Sequence, residues 1–264
     1  MHNAKFIINA KKIFLGLSPF LVILCLWQGY VFFYPEMAWL IPSPSHTAQS
    51  FVLFVLDGTL VELLAISLSN LIPPFFIALL CATGIGTLMG VSKEADQVFY
   101  PFLSALNPIP SIAWLPFVML FLGFSWAAIW VVIFISTFLK MIYAVRGGVQ
   151  GVDIHYILLA KNLGFNKRKI ITDVFLPCSL PQFITGIRIS FGSAWRSLIG
   201  AEMLVVTLGG LGKYIWLAQW YFNFDKVIIG IVVIGVVGII VEELFLKKVE
   251  KNTISKWGLK RGVD

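Results

Sequence analysis

GVDIHYILLAKNLGFNKRKIITDVFLPCSLPQFITG, residues 151–186, decides how this chain is read. It is a polar, basic island set between long apolar runs. Asp153 is a good N-cap, because a short carboxylate can accept from the unpaired N–H groups of a first helical turn, and Gly164 suits the left-handed residue that closes a helix. A short helix is therefore expected over residues 154–163. Asn166 can cap a second helix, KRKIITDVFL, which Pro177 should stop, and Pro181 should open the next apolar run. Two short helices joined at a sharp Gly turn make more than a connector. They offer an apolar face (Tyr156, Ile157, Ala160, Leu163) that something must cover. The residues alone leave lipid and a partner protein open as that cover.

The rest of the chain says where this island lies. Of 264 residues, 59% are hydrophobic and only 12% charged, and the mean hydropathy is +0.90. Soluble domains are roughly 45–50% apolar and about 25% charged. A water-soluble globule, a disordered chain and a disulfide scaffold are excluded. An integral membrane protein with several spans remains. A span needs about 20 mostly apolar residues, and six are expected: 13–33, 61–89, 102–122, 127–145, 183–206 and 227–246. The first reads as an uncleaved helix, since no small-residue cleavage site follows it. Pro73-Pro74 should kink the second. Three prolines in NPIPSIAWLP (107–116) should distort the first half of the third. Ser45 or Thr47 should cap a short interfacial helix through Leu56. Residues 148–182 form the large loop.

Charge orients these spans. The net charge is +7. Sixteen of the 20 Lys and Arg fall in the N-terminus, residues 91–98, residues 140–182 and the tail, whereas Lys213 and Lys226 alone lie on the other side. Cytoplasmic loops collect Lys and Arg, so both termini and the island are expected in the cytoplasm. The same bias explains the basic pI without any nucleic acid. Trp and Tyr at 27, 30, 34, 39 and 214–221 read as an interfacial belt. Cys25, Cys81 and Cys178 have neither metal nor redox spacing and read as small buried hydrophobes. His2, His46 and His155 are dispersed, with no ligand spacing. A P-loop needs GxxxxGK followed by Ser or Thr; TLGGLGKY has Tyr214 at that place and reads as a turn.

The island resembles the EAA loop of bacterial ABC importer permeases, through Ala160, Gly164 four residues on, Ile171, and Leu176-Pro177. The stretches LIPSPSHTAQSF, NPIPSIAWLPFVMLFLGFSW, LPQFITGIRISFGSAWRSLIGAEML and GGLGKYIWLAQ resemble the nitrate/sulfonate/taurine/bicarbonate branch of that family, in the expected order from Leu40 to Leu246. Two departures stand out. The family's Glu-Ala-Ala reads Leu158-Leu159-Ala160, so the acid is absent, and Pro73-Pro74 replaces a Gly-containing stretch.

The resemblance implies an all-α integral membrane fold, the six-helix type I ABC importer permease (MetI-like), in a bacterial inner membrane. It implies a homodimer, a cytoplasmic ABC ATPase dimer that binds the ATP, an extracytoplasmic solute-binding protein and surrounding lipid. The permease itself would be no enzyme and hold no cofactor or metal. Asp153, Tyr156, Ala160, Gly164 and Pro177 would form the ATPase-coupling element. Small Ala160 would allow close approach to the ATPase, and Gly164 the sharp turn. The cargo implied is a small anion such as a sulfonate, nitrate or bicarbonate; related branches carry neutral thiamine precursor-like heterocycles.

Charges within a bilayer are costly and face a cavity or bundle interior. Arg188 is near the inner end of the fifth span and can snorkel. Arg196, Glu202 and Asn107 are candidates for the translocation pathway. Arg196 and Glu202 lie about 240° apart on one helix, so they do not pair on it directly. Either Arg196 meets an anionic cargo at mid-depth, or it and Glu202 are satisfied within the protein. A membrane-embedded enzyme needs convergent His, Cys or acids, and the spans carry few. A secondary transporter usually needs intramembrane acids or inverted repeats, and no convincing repeat is present.

Overall fold

The computed structural model describes residues 2–205 and 209–242, with side chains from residue 18 onward. Expectations for residues 206–208 and for the tail beyond 242 fall outside the described residues. Every regular element described is a helix. The chain divides into two compact units, residues 1–61 with 214–232, and residues 62–213 with 233–264.

In the first unit, α1 (His2–Phe33) leads through a short 3-10 turn to α2 (Pro44–Leu56). Ser43, rather than Ser45 or Thr47, caps α2: its Oγ accepts from the His46 N–H at 3.2 Å. Pro44 explains the shift, because its fixed φ suits the first helical position and leaves the residue before it as the cap. The Trp27 indole N–H donates to the Pro42 carbonyl at 3.0 Å, tying α1 to this loop. Phe54 of α2 packs on Tyr214, ring centroids 4.9 Å apart.

The second unit is built on α3 (Thr59–Val91), α4 (Lys93–Leu106), α5 (Leu115–Leu122), α6 (Trp126–Gln150), α7 (Ile154–Asn162), α8 (Lys167–Ile170) and α9 (Leu176–Leu204). Helix α10 is Leu211–Trp220 and α11 is Phe224–Ile239. Among the described residues, four helical stretches are long and apolar enough to cross a membrane: Thr59–Val91, Trp126–Gln150, Lys167–Leu204 and Phe224–Glu242. Helix α3 passes through Pro73-Pro74 without a break.

The stretch expected as one span over residues 102–122 is broken. Helix α4 and the segment Ser111–Leu122 meet at 86°. Pro108 and Pro110 lack the N–H groups that a continuous helix needs there, and their rings clash with the preceding turn. Asn107 becomes the C-cap of α4, and a 3-10 turn, Ser111–Trp114, leads into α5.

The opposite correction applies to Pro177, which does not stop its helix. Helix α8, a π-helical turn (Ile171–Phe175) and α9 form one stretch, Lys167–Leu204. Pro177 falls in the first turn of α9, where its missing N–H costs little, and the wider turn before it absorbs the misfit. Ser179 Oγ donates to the Phe175 carbonyl at 2.6 Å. Helices α7 and α8 and the π-helical turn thus lie within the expected 148–182 stretch.

Helices α6 and α9 pack closely because small residues face each other. A Cβ on Gly186 would stand 2.5 Å from the Ala144 Cβ. Gly90 of α3 similarly admits Val149 of α6. Asp96, near the start of α4, takes the Arg146 guanidinium in a two-pronged pair (Nη2 to Oδ2, 2.7 Å), and the Tyr100 ring lies under that guanidinium at 4.4 Å. All three cysteines are exposed on the chain surface rather than buried; for a helix in lipid, an apolar run describes its outside as well as its inside.

Gly186→Ala is expected to destabilise the protein by about 1–3 kcal/mol, because the new methyl meets another backbone-fixed methyl. Gly147→Ala, whose Cβ would meet nothing within 4 Å, should leave the melting temperature in detergent unchanged. Equal melting of the two variants would reject this account of the α6–α9 contact.

Candidate functional site

The broken segment, α6 and α9 enclose a cavity of about 380 Å³. Its floor is the proline stretch Asn107–Ile112; α6 adds Ser136 and Lys140, and α9 adds Ser193, Arg196 and Ser197. Four hydroxyls are linked in series. Ser111 Oγ and Ser197 Oγ are 2.7 Å apart, Ser197 donates to Ser136 at 3.0 Å, and Ser136 and Ser193 are 2.9 Å apart. Lys140 Nζ donates to Asn107 Oδ1 at 3.2 Å. The Arg196 guanidinium makes no hydrogen bond or ion pair among the described residues. Among those residues no Asp or Glu lines the cavity. It is polar, hydroxyl-rich and twice cationic.

Two of the three expected pathway residues, Asn107 and Arg196, thus meet in one place. Glu202 does not join them. It is fully buried, where its Oε2 accepts from Ser67 Oγ at 3.0 Å and from the Gly212 N–H at 3.0 Å. Ser67 Oγ in turn accepts from the Leu211 N–H at 3.0 Å. Of the turn expected at GGLGK, only Gly209 and Gly210 are non-helical, and Leu211 already opens α10 beside this carboxyl group. Gly210 has a φ of +112°, and a Cβ there would strike the Glu202 side chain. Carboxyl and helix start are matched, since the first N–H groups of α10 are otherwise unpaired donors. Arg196 has no part in satisfying Glu202.

Lys140 and the serine chain were not among the expected site residues. Lys140 counted with the basic loop, yet α6 continues past it to Gln150. Only the break at Pro108–Pro110 brings Ser111 to Ser197. Their spacing was the available signal: Ser136 and Lys140 are four apart on α6, as are Ser193 and Ser197 on α9.

The second candidate is α7. Asp153 Oδ1 accepts from the His155 N–H at 2.9 Å, and Gly164 takes a φ of +78°, both as expected. Asn166 Oδ1 caps α8 by accepting from the Lys169 N–H at 2.8 Å. The expected apolar face divides in two. Ala160 is buried and Ile157 half-buried against a core that includes Ile170, Val174 and Phe175. Tyr156 and Leu163, with Ile154, Leu158 and Leu159, are exposed. Within this chain the small Ala160 lets the fold close over it. Pro177 lies inside the long helix and away from any surface turn.

A family model described as "Binding-protein-dependent transport system inner membrane component" matches residues 75–251. The chain belongs to this family. The permease is 26% identical over 238 residues to the taurine transport system permease protein of Escherichia coli, covering 88% of this chain and 86% of that protein. It is 28% identical over 176 residues to the bicarbonate transport system permease protein of Synechococcus elongatus, covering 67% and 63% of the two chains. A chain of the MetNI methionine ABC transporter in an inward-facing conformation aligns with a TM-score of 0.58 at 17% identity, covering 74% of the permease and 95% of that chain. The permease accordingly has the all-α, MetI-like fold.

Gly210→Ala forces a side chain into the left-handed region and into Glu202, and is expected to abolish stable membrane expression. Ser67→Ala leaves the Leu211 N–H and one approach to Glu202 unpaired and should cost about 1–3 kcal/mol. Thermal melting of the purified protein measures this; an unshifted Ser67→Ala midpoint would refute the assigned network.

Proposed function

We propose that this permease is the membrane subunit of an ATP-driven importer for a small anion, and that the cavity at Arg196 and Lys140 is where the anion passes. The observation that carries the reading is the cavity's composition: two cations, four hydroxyls and no lining acid. A cationic site at bilayer depth is stable only with an anion or water to answer it. Sulfonate, nitrate and bicarbonate groups are small, planar or tetrahedral, and rich in acceptors. Arg196 offers the forked donor, Lys140 a point charge, and the serines orient the remaining oxygens. A neutral heterocycle would leave both charges unanswered. The taurine and bicarbonate permeases among the relatives support the same cargo class.

In this reading the chain acts as a homodimer in a bacterial inner membrane, with both termini in the cytoplasm, where the excess of Lys and Arg would hold them. A solute-binding protein delivers the anion from outside, and a separate ATPase dimer supplies the energy. The coupling element is α7, set by Asp153 and Gly164, and it docks through the exposed Tyr156, Leu159 and Leu163. Leu158 stands where the family's acid would be, so the contact is apolar. Ala160 secures α7 to the permease, so that force applied to one face passes to the core on the other.

Two measurements test this. Arg196→Gln is expected to cut uptake of the transported anion at least tenfold in inside-out-controlled vesicles while the complex still assembles; normal uptake would reject the anion pathway. Leu159→Asp is expected to strip the ATPase from the purified complex without lowering permease expression, because a charge on an apolar contact cannot be solvated there. Retention of the ATPase would remove α7 from the coupling role.

A further inference from the structure

Arg196 borders a second cavity, of about 250 Å³, on the face of α9 toward α11. Its walls include Gly192, Gly235 and Gly238, and Glu242 stands at its end. Arg188, Gly192 and Arg196 are four residues apart and form one row along α9. Glu242 faces that row. Its Oε1 lies 3.6 Å from Arg188 Nε, and its Oε2 lies 3.7 Å from the point where a Cβ on Gly192 would stand. The Arg196 Nη1 lies 3.5 Å from the same point. The carboxylate is paired with Arg188 and lines the same cavity as Arg196, with Gly192 between them where a larger side chain would stand.

We infer that Glu242 is the exchange counter-ion of Arg196, competing with the transported anion for its guanidinium. The inference rests on the anion-pathway reading above. Arg196 makes no hydrogen bond or ion pair among the described residues, and an unanswered charge at bilayer depth is costly. Two answers are at hand. One is an anion in the serine cavity, and the other is Glu242 across Gly192. A long, flexible arginine side chain can serve both, and three glycines leave it room to turn. Without an anion to hold it, the guanidinium can swing past Gly192 to Glu242. An arriving anion draws it away, and as the anion leaves, Glu242 takes the guanidinium back. Glu242 is then a positioning residue: it touches no cargo, but it weakens the cavity's hold enough for release. A transport site must bind well enough to load and poorly enough to unload.

The test reads charge in the cavity without needing the cargo. In a chain with Cys25, Cys81 and Cys178 replaced by Ser, Ser193→Cys places a thiol in the cavity wall. In membranes holding the full complex, the thiol is reacted with anionic sulfonatoethyl methanethiosulfonate and, separately, with the cationic trimethylammonium analogue. The ratio of the two rates reports the local potential. Arg196→Gln should lower the ratio several-fold. Glu242→Gln should raise it several-fold, and Glu242→Asp should restore most of the original value. In the Arg196→Gln background, Glu242→Gln should add nothing, because its effect passes through that guanidinium. An equal rise in both backgrounds would mean simple through-space charge, and no rise at all would mean no competition; either overturns the inference alone. A ratio that Arg196→Gln leaves unchanged would instead defeat the anion-pathway reading. Should Ser193→Cys and the alternative Ser136→Cys both resist both reagents, the cavity is closed to ions and the two readings fall together.

Discussion

Pro108 and Pro110 withhold two backbone N–H groups in a stretch that would otherwise be one helix. In lipid such a gap must be answered within the protein, and non-helical backbone survives only where other helices or a cavity enclose it. Here the chain turns by 86°, and the exposed turn becomes the floor of a cavity that α6 and α9 complete. Asn107 caps the incoming helix and receives Lys140; Ser111 opens the outgoing one and meets Ser197. A straight helix would have carried these polar groups to unrelated depths. The serine chain, the paired cations and the room between them all follow from one interruption.

The surrounding bundle has to be firm for such a cavity to keep its shape. Firmness comes from close approach at small residues, at Gly186 against Ala144 and at Gly90 against Val149, since lipid gives helices no hydrophobic reason to associate. It also comes from polar fixings placed at chain turns. Asp96 holds Arg146, and Glu202 gathers Ser67 and the start of α10. These are separate from the cavity charges. Those acids are answered within the fold, whereas Arg196 and Lys140 line a cavity that no acid lines among the described residues.

Much of this was legible in the residues. The capped helix at 154–162 was, because Asp153, Gly164 and Asn166 act on their immediate neighbours. The all-helical membrane class was, because hydropathy reports it directly. Three things were not. Pro177 looks like a stop in a window of ten residues, but a wider π-helical turn upstream lets the helix run on through it. Ala160 looks like part of an exposed face, and only the fold of Ile170, Val174 and Phe175 over it shows which half of α7 is inside. Lys140 looks like one more loop cation until the extent of α6 is known. The first and last concern how far a helix extends, and the second which side of it faces inward; in a chain apolar on every side periodicity carries little of that information.

The helix from Lys167 to Leu204 is 38 residues long, or about 57 Å at 1.5 Å per residue, nearly twice the roughly 30 Å thickness of the hydrocarbon layer. Its first turns, around Ile170 and Val174, bear α7, and Arg196 lies far along the same axis. One continuous helix, with a π-helical turn near its start, thus joins the two. Tilting it by about 3° shifts the far end by about 3 Å over such a length. Motion at one end would reach the other by leverage alone, with no relay of side chains in between.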